Sequence, residues 1–313
     1  MTKYYSHRDA IGDALLELGP EFEKLVVLSP DVGKSTKALR FKNLYPERYF
    51  CTGISEQNTI GVASGLAAMG WTAIVAGYAM FIAGKAWEPI RNSICYPGMD
   101  VKLIATHGGI NVGADGVTHQ AIEDIAIMRV IPGMTVLAAC DAQEVLPLFR
   151  LALSKKGPVY IRLEREPLPN ISDQNHKYKI GGSAKLRQGK DVTIIAIGGM
   201  VWKALEAAEI LEKEGLQATV VNMYSIKPID EEEIISAAIE TKCIVTAEDH
   251  NRFGGLAGAV AEVIVQSIPV PIEVVAVNDT YAESGDAKQL SMKYNLSSQN
   301  IVNAVKRVVE KKK

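Results

Sequence analysis

The sequence predicts an α/β fold of two domains, each built on a mostly parallel sheet with helices on both faces. Short apolar runs alternate with helix-length segments along most of the 313 residues. One polar, proline-containing stretch interrupts this alternation near the middle of the chain, and the alternation then restarts. The length allows two domains of ordinary size, each with its own core.

The composition excludes several classes of protein. Basic and acidic residues nearly balance, 34 against 36, so there is no electrostatic basis for binding nucleic acid or an anionic membrane surface. Cys51, Cys95, Cys140 and Cys243 form no C-x-x-C pair, which argues against a zinc site or a disulfide framework and fits a reducing cytoplasm. No signal-peptide pattern opens the chain, and no apolar run reaches the roughly 18 residues of a membrane span. We therefore expect a cytoplasmic protein.

The apolar runs predict the elements of the first domain in order. Strands are expected at Leu25–Ser29, Tyr49–Thr52, Thr72–Ala76, Val101–Thr106, Thr135–Ala138 and Val159–Arg162. Helices are expected from Tyr4 to Leu18 with Ser6 as N-cap, and near Ala79–Cys95, Ile122–Arg129 and Ala142–Ser154. A further helix, from about Thr59 to Gly70, has no charged face, so we expect it to be buried on all sides.

The stretch Glu164–Lys190, which contains Pro167 and Pro169, predicts a domain boundary. We assign residues 1–168 to the first domain, 169–190 to a linker and 191–313 to the second domain. The second domain is expected to contain strands Asp191–Ile197, Ala218–Met223, Cys243–Glu248 and Ile272–Ala276, and helices Val201–Glu214 and Ser297–Lys312. The pair Gly198-Gly199 lacks the spacing of a dinucleotide fingerprint and indicates an ordinary turn.

Glu56 is a candidate functional residue, because it stands where a predicted strand passes into the uncharged helix. Open parallel sheets bind their ligands at such carboxyl ends of strands. The competing interpretation is that Glu56 satisfies free N–H groups at the start of the helix, where acidic residues are common. This segment alone favours the competing interpretation.

The loop His107–Gln120 combines two of the five histidines with an aspartate and several glycines. The glycines are Gly108, Gly109, Gly113 and Gly116. Ordering so many glycines costs entropy, which suggests that the backbone approaches a ligand closely. A single histidine is usually structural, but His107, Asp115 and His119 in one loop beyond a strand favour function.

Tyr78 and Phe81 end another predicted strand, where they either pack in the core or form a platform for a flat heteroaromatic ring. Together with Gly53–Asn58 and His107–Gln120, this element resembles transketolase. The resemblance runs through essentially the whole chain and covers the C-terminal half of a transketolase, its pyrimidine-binding domain and C-terminal domain. The pattern His-x5-Gly-x-Asp-Gly-x-Thr-His-Gln is its most specific part.

The resemblance implies thiamine diphosphate as the cofactor. Glu56 matches the glutamate that contacts N1′ of the cofactor's pyrimidine, and Tyr78 and Phe81 would pack on that ring. Val32 stands where the family usually has leucine, and Gly84 where many members carry a further tyrosine. The cofactor performs the covalent chemistry while the protein orients it.

The resemblance also implies transfer of a two-carbon ketol unit from a ketose phosphate to an aldose phosphate, as in the pentose phosphate pathway. The residues matched to the sugar phosphate are Arg8, Ser35, His107, Asp115, His119 and Arg165. His107 and His119 suit proton transfer and contact with sugar oxygens, and arginine forks suit a terminal phosphate. Without the resemblance, Arg165 with Arg162, Glu164 and Glu166 would be interpreted as a surface charge cluster.

The chain lacks the Gly-Asp-Gly motif and the following asparagine with which such enzymes hold Mg²⁺ and the diphosphate. We therefore expect no metal ligand on this chain. A partner chain would carry the diphosphate-binding domain and Mg²⁺, and two copies of this chain would pair in an α₂β₂ complex.

Three alternatives to a transketolase subunit stay open. The beta subunit of a 2-oxo acid dehydrogenase decarboxylating component also pairs with a separate chain, but the two histidines and matched arginines favour a phosphosugar. Deoxyxylulose phosphate synthase is normally one chain with its own Gly-Asp-Gly. A non-catalytic regulatory subunit is disfavoured because Glu56, His107 and His119 are all retained.

Overall fold

Runs of apolar and β-branched residues form the strands of two main sheets in the computed structural model, which describes residues 3–312. The strands are β1 Tyr4–Tyr5, β2 Leu25–Ser29, β3 Tyr49–Cys51, β4 Thr72–Tyr78, β5 Val101–Thr106, β6 Thr135–Ala138, β7 Val159–Arg162, β8 Leu168–Pro169, β9 Ala184–Arg187, β10 Val192–Ala196, β11 Ala218–Asn222, β12 Ser225–Lys227, β13 Ile244–Asn251 and β14 Ile272–Val277.

The helices lie mostly between successive strands, as in other parallel α/β folds. They are α1 His7–Leu18, α2 Leu39–Leu44, α3 Glu56–Ala68, α4 Trp87–Pro89, α5 Asp124–Arg129, α6 Ala142–Ser154, α7 Met200–Lys213, α8 Glu231–Thr241, α9 Leu256–Gln266, α10 Ala287–Lys293 and α11 Ser298–Glu310. Short 3₁₀ segments occupy Pro46–Arg48 and Ile110–Asp115. None of the helices between residues 3 and 312 combines the length and apolarity needed to span a bilayer.

The predicted fold class is confirmed. The first domain is built on a seven-stranded sheet in the order β12-β6-β7-β5-β4-β2-β3, parallel except for β12. The second domain is built on a five-stranded sheet in the order β14-β13-β10-β11-β9, parallel except for β9. A small antiparallel pair, β1 with β8, lies outside both sheets.

Helices cover both faces of the seven-stranded sheet. Successive residues of β2 point to opposite faces, and all five are buried. Val27 belongs to the cluster formed with α1, α2 and α6, whereas Val26 and Leu28 belong to the cluster that includes α3. Burial on both faces explains why the strands of this domain are continuous apolar runs.

Two predicted helices differ from the structure. Ser6 does cap α1, since its hydroxyl accepts a hydrogen bond from the Asp9 N–H at 3.3 Å, but Tyr4 and Tyr5 form β1 before it. The helix expected at Ala79–Cys95 is divided into π-helical turns, Met80–Lys85 and Ile90–Cys95, on either side of α4. Pro89 lacks the N–H that a regular α-helix needs there.

The expectation that the uncharged helix is buried on all sides is wrong. Only one face of α3 is buried against this chain, through Glu56, Thr59, Ile60 and Ala63. On another face Val62 is 38% exposed and Met69, just beyond the helix, is 78% exposed. A lack of charge shows that a helix avoids water, but it does not show which polypeptide covers it.

The segment between the domains contains structure that the sequence patterns did not reveal. Strand β9 lies inside the expected linker, residues 169–190, and pairs antiparallel with β11. Strand β12 belongs by position to the second half of the chain, yet it pairs with β6 of the first domain. Three residues are too few to show a periodicity. The domain boundaries themselves stay a prediction.

Candidate functional site

The carboxyl ends of five adjacent parallel strands bring most of the predicted site residues to one edge of the seven-stranded sheet. Following the strand order β7, β5, β4, β2 and β3, the residues at or beyond the strand ends are Arg165, His107, Tyr78, Val32 and Glu56. Residues far apart in sequence are therefore neighbours along this edge. Arg8 reaches the same region from the first turn of α1.

Glu56 is the first residue of α3, and its side chain is only 5% exposed. Lys85 Nζ lies 2.7 Å from Glu56 Oε2, the distance of an ion pair, but the angles are not those of a hydrogen bond. Within residues 3–312, Oε2 has no hydrogen-bond partner and no backbone N–H donates to this carboxylate. The helix-capping interpretation of Glu56 therefore has no support in its contacts, and Oε2 can accept a hydrogen bond from a ligand.

Four aromatic rings form a continuous surface beside Glu56. The Tyr78 ring centroid lies 4.0 Å from that of His107 and 6.0 Å from that of Phe81. Phe81 in turn lies 5.1 Å from the His119 ring, and the Lys85 ammonium stands 5.7 Å over the Phe81 ring. The structure thus brings together the glutamate, the two predicted ring-binding residues and both loop histidines.

His107 is neutral at pH 7. Its side chain is 1% exposed, and burial, followed by the positive charges of Arg8, Arg165 and His119, lowers its pKa from 6.5 to about 3. The Thr106 hydroxyl donates to the Gly77 carbonyl, so His107 Nδ1, 2.8 Å from Thr106 Oγ1, donates to that oxygen. The lone pair is therefore on Nε2, which can accept a proton or a hydrogen bond.

A cavity of about 410 Å³ opens beside Tyr78 and is lined by Val32, Ser35, the carboxylate Asp31 and three cations. The cations are Arg8, Lys34 and Lys37. Arg8 Nε is buried without a hydrogen-bond partner among the described residues, so its guanidinium can receive an anion. Lys34 and Lys37 were missed by sequence reasoning, although two lysines three residues apart after a buried strand are a detectable signal.

The surface charge cluster holds only in part, because Arg165 pairs with the partly exposed Glu166 at 3.2 Å, whereas its other two proposed members are buried. Arg162 and Glu164 are each 2% exposed, and Arg162 Nε donates to Asp124 Oδ2 at 2.9 Å. Arg165 Nη1 donates to the Val112 carbonyl at 2.7 Å, inside the loop 107–120. Arg165 therefore helps to hold this loop in place, independently of any ligand that it binds.

Protein atoms of this chain occupy the space beside the glycines of the loop 107–120, where a side chain would otherwise stand. A Cβ added to Gly109, whose φ is +80°, would lie 2.2 Å from Asp249 Oδ2. A Cβ on Gly116 would lie 2.4 Å from Ser284 Oγ. We expected these glycines to let the backbone approach a ligand. The structure shows instead that Gly109 and Gly116 let the second domain pack closely on the loop.

The remaining predicted residues differ in how closely they join the site. His119 is half-buried, contacts the Phe81 ring and lies 3.0 Å, at Nδ1, from Thr118 Oγ1. Asp115 is exposed at the end of the 3₁₀ segment Ile110–Asp115. In the described part of the chain, no hydrogen bond or ion pair links Asp115 to the other site residues.

Lys85 is a further site residue that the sequence patterns did not reveal. It follows Gly84, the position where the resemblance indicated a missing tyrosine, and it pairs with Glu56. Its backbone carbonyl accepts a hydrogen bond from Gln57 Nε2 at 3.0 Å, which ties this turn to α3. A lysine beside an exposed glycine has no signal of its own in a single sequence.

A larger cavity, of about 490 Å³, lies on the second domain against β14, and its arginines already have protein partners. Arg307 Nε donates to Glu273 Oε2 at 3.0 Å, and Arg252 Nη1 donates to Asn278 Oδ1 at 2.9 Å. Size alone therefore does not make it the functional site. Across residues 3–312, no group of three or more His, Cys, Asp or Glu side chains is arranged to hold a metal ion.

Comparison with known families and proteins gives consistent matches. The family "Transketolase, pyrimidine binding domain" matches residues 3–170, and "Transketolase, C-terminal domain" matches residues 181–301. A Methanocaldococcus jannaschii protein named as a transketolase C-terminal section is 43% identical over 99% of this chain and 97% of its own length. A subunit of a 6-deoxy-6-sulfo-D-fructose transketolase from a Clostridium species is 39% identical over 97% of this chain and 95% of its own.

A solved structure agrees with these sequence matches. The structure titled "Split gene transketolase, inactive beta4 tetramer" superposes with a TM-score of 0.91 at 45% identity. The superposition covers 99% of this chain and 100% of the other. Both the two-domain architecture and the order of its elements are therefore shared with that chain over its whole length.

Proposed function

This chain belongs to the transketolase family, and we propose that it is the pyrimidine-binding subunit of a two-chain, thiamine diphosphate-dependent transketolase. It transfers a two-carbon ketol unit from a ketose phosphate to an aldose phosphate, in the pentose phosphate pathway, and it is active only with its partner chain. One observation carries the proposal. The buried Glu56 Oε2, without a hydrogen-bond partner, stands at the head of the aromatic surface that leads through His119 and His107 to Arg8.

The residues present fit the pyrimidine end of thiamine diphosphate. Glu56 would hold N1′ through the oxygen that has no hydrogen bond here, while Tyr78 and Phe81 pack on the ring and Val32 supports it from the adjacent strand. When bound, the cofactor supplies the carbon nucleophile that adds to the ketose carbonyl. Glu56 orients that cofactor and excludes water from its pyrimidine edge.

His107 serves the sugar as a neutral hydrogen-bond acceptor, because a pKa lowered to about 3 leaves its Nε2 unprotonated and only weakly basic at pH 7. Its Nε2 accepts a hydrogen bond from a sugar hydroxyl, and His119 and Asp115 complete the sugar channel. A low pKa keeps His107 in the neutral form throughout the physiological pH range.

Arg8 and Ser35, which line the cavity, bind the terminal phosphate of the sugar together with Arg165, whose charge acts with that of Arg8 on His107, and Lys34 adds positive charge to the cavity. One relative is named for 6-deoxy-6-sulfo-D-fructose, a sugar that carries a sulfonate. A sulfonate is a tetrahedral oxyanion similar in shape to a phosphate. Positive charge beside Tyr78 suits a phosphorylated sugar and a sulfonated sugar equally. That this chain binds the phosphorylated sugar is part of the proposal.

The diphosphate and Mg²⁺ belong to the partner chain in this proposal. The chain has no Gly-Asp-Gly, and magnesium prefers an octahedral set of carboxylate and phosphate oxygens. The exposed apolar face of α3, with Gly61 and Gly65 open to solvent, suits a large obligate interface. We propose an α₂β₂ complex in the cytoplasm in which two of these chains pair.

The test is calorimetry with thiamine diphosphate and Mg²⁺ on the isolated chain, and then on its mixture with the chain that carries Gly-Asp-Gly. We expect weak binding and no ketol transfer from the isolated chain, because the charged end of the cofactor has no anchor there. The mixture should bind and turn over, and its Glu56→Gln variant should assemble but lose several orders of magnitude in kcat. Full-strength binding and turnover by the isolated chain would contradict the proposal.

A further inference from the structure

A buried carboxylate of the second domain holds the first part of the loop 107–120, while Glu283 and Gly285 of the same domain bond to its later part. Asp249, on β13, is 1% exposed. Its Oδ1 accepts a hydrogen bond from the Ile110 N–H at 2.9 Å, and its Oδ2 accepts one from the Asn111 N–H at 3.3 Å. These two amides open the 3₁₀ segment that leads from Gly109 to Asp115.

The backbone of the loop is shaped to this carboxylate. Gly109 adopts a φ of +80°, and any side chain there would collide with Asp249. Arg162 joins the same contact from β7, since its Nη2 donates to the Ala121 carbonyl at 3.0 Å and to the Asp249 carbonyl at 2.8 Å. Both ends of the loop are thus fixed relative to Asp249.

We propose that Asp249 is a positioning residue for ketol transfer. By holding the Ile110 and Asn111 amides, it determines where His107, on one side of them, and Asp115, on the other, stand relative to Tyr78 and Arg8. This inference rests on the proposed function, because it assigns His107 and Asp115 to the sugar. It gives the second domain, which contributes no predicted site residue, a role in the geometry of the site.

The neighbouring residue Glu248 provides a matched control. It is equally buried and also accepts two backbone N–H bonds, from Leu256 at 2.7 Å and Ala257 at 2.8 Å. Those amides begin α9, inside the second domain and away from the loop. A role in stability alone would make the two residues equivalent, whereas positioning makes only Asp249 matter for kcat.

The kinetic test compares Asp249→Asn with Glu248→Gln in the assembled two-chain enzyme. Asparagine turns one accepting oxygen into an NH₂ that faces a backbone N–H, so the loop must move. We expect kcat to fall about 10- to 100-fold in Asp249→Asn, as for small displacements of reacting groups. Cofactor affinity should stay near wild type, because Glu56, Tyr78 and Phe81 lie outside the loop. Glu248→Gln should lower the unfolding midpoint and leave kcat near wild type.

Amide hydrogen exchange of the full-length chain without its partner is the second measurement. Ile110 and Asn111 should exchange faster in Asp249→Asn than in wild type or Glu248→Gln, after correction for global stability. If Asp249→Asn does not fold, Gly109→Ala disturbs the same contact from the loop side and takes its place.

Two results would overturn the positioning role: unchanged protection of both amides, or a kcat loss matched by Glu248→Gln. If the wild-type enzyme showed no ketol transfer, the proposed function would fail, while the exchange rates would still decide whether Asp249 fixes the loop.

Discussion

At the scale of single residues, the site combines groups that already have partners with groups that do not. Arg165 is bound to the loop backbone, whereas Arg8 Nε is buried without a hydrogen bond among residues 3–312, and Glu56 Oε2 has an ion-pair partner in Lys85 but no hydrogen bond there. An unpaired buried polar atom is costly unless a ligand satisfies it. Arg8 and Glu56 are therefore the two residues whose contacts point most directly to a bound molecule.

Arg8→Ala should raise the KM for a phosphorylated ketose about 10- to 100-fold, since a charge-assisted contact contributes roughly 1.5–3 kcal/mol. The KM for hydroxypyruvate, which has no phosphate, should change little. Initial-rate measurements with both donors in the assembled enzyme check this. Arg252→Ala, on the second domain, is the control and should affect neither KM. Equal increases for both donors would show that Arg8 is structural.

Arg165→Ala should behave differently from Arg8→Ala. The loss of its bond to the Val112 carbonyl frees part of the loop 107–120. We therefore expect it to lower kcat with both donors in addition to raising the KM for the phosphorylated one.

His7 should make the stability of this protein depend on pH below neutrality. Its side chain is fully buried, its Nδ1 accepts the Glu164 N–H at 3.1 Å, and burial lowers its pKa from 6.5 to about 4. As pH falls, the histidine is protonated in the unfolded chain before it is protonated in the folded one. The contribution of neutral His7 to the free energy of unfolding is therefore complete above pH 6.5 and is lost as pH falls toward 4.

Replacement His7→Asn keeps an acceptor near the Glu164 N–H and removes this titration. The decrease in unfolding free energy between pH 6.5 and 4 should then be smaller than in wild type by about 3 kcal/mol. Urea unfolding followed by circular dichroism at several pH values measures this difference. Parallel curves for the two proteins would refute the assignment to His7.

At the scale of elements, two parts of α3 meet different surroundings. Its first residue, Glu56, turns into the site, while Val62 lies on a face open to solvent. Added Cβ atoms at Gly61 and Gly65 would meet nothing within 4 Å. A helix with a buried carboxylate at its start and an open uncharged face is suited to form both part of a binding site and an interface between chains.

Val62→Glu should weaken assembly without unfolding the chain, because burying a carboxylate in an apolar interface is costly. Analytical ultracentrifugation, with and without the partner chain, should show a smaller complex than wild type. The control is Val265→Glu, the same substitution at a 68% exposed position on α9. Unchanged complexes with Val62→Glu would show that this face of α3 lies outside the interface.

At the scale of the whole molecule, the two domains are joined by more than the chain between them. Strand β12 crosses to the edge of the first sheet, and Asp249 reaches the loop beyond β5. Glu164 accepts a hydrogen bond from the Gly199 N–H, which explains the glycine turn after β10 as a contact between domains. The geometry of the site is therefore a property of the pair of domains.

Local patterns were sufficient for the fold class, the positions of most strands along the chain and the Ser6 cap, because each depends on residues within a few positions of one another. Residue types at strand ends, such as Glu56 and His107, also predicted one edge of the sheet as the candidate site, since parallel strands share one edge. The individual roles proposed for the site residues come from the family resemblance and not from their spacing.

Only the tertiary structure decided which surfaces these residues meet. Ile110 and Asp249 stand 139 positions apart, so no local pattern links them. Three other features likewise depend on how the helices and strands pack together. They are the close contact at Gly109, the ion pair of Lys85 with Glu56 and the open face of α3. Packing between elements is determined by the shapes and charges of whole surfaces. A periodicity along the chain shows that an element has an apolar face, but not which surface packs against that face.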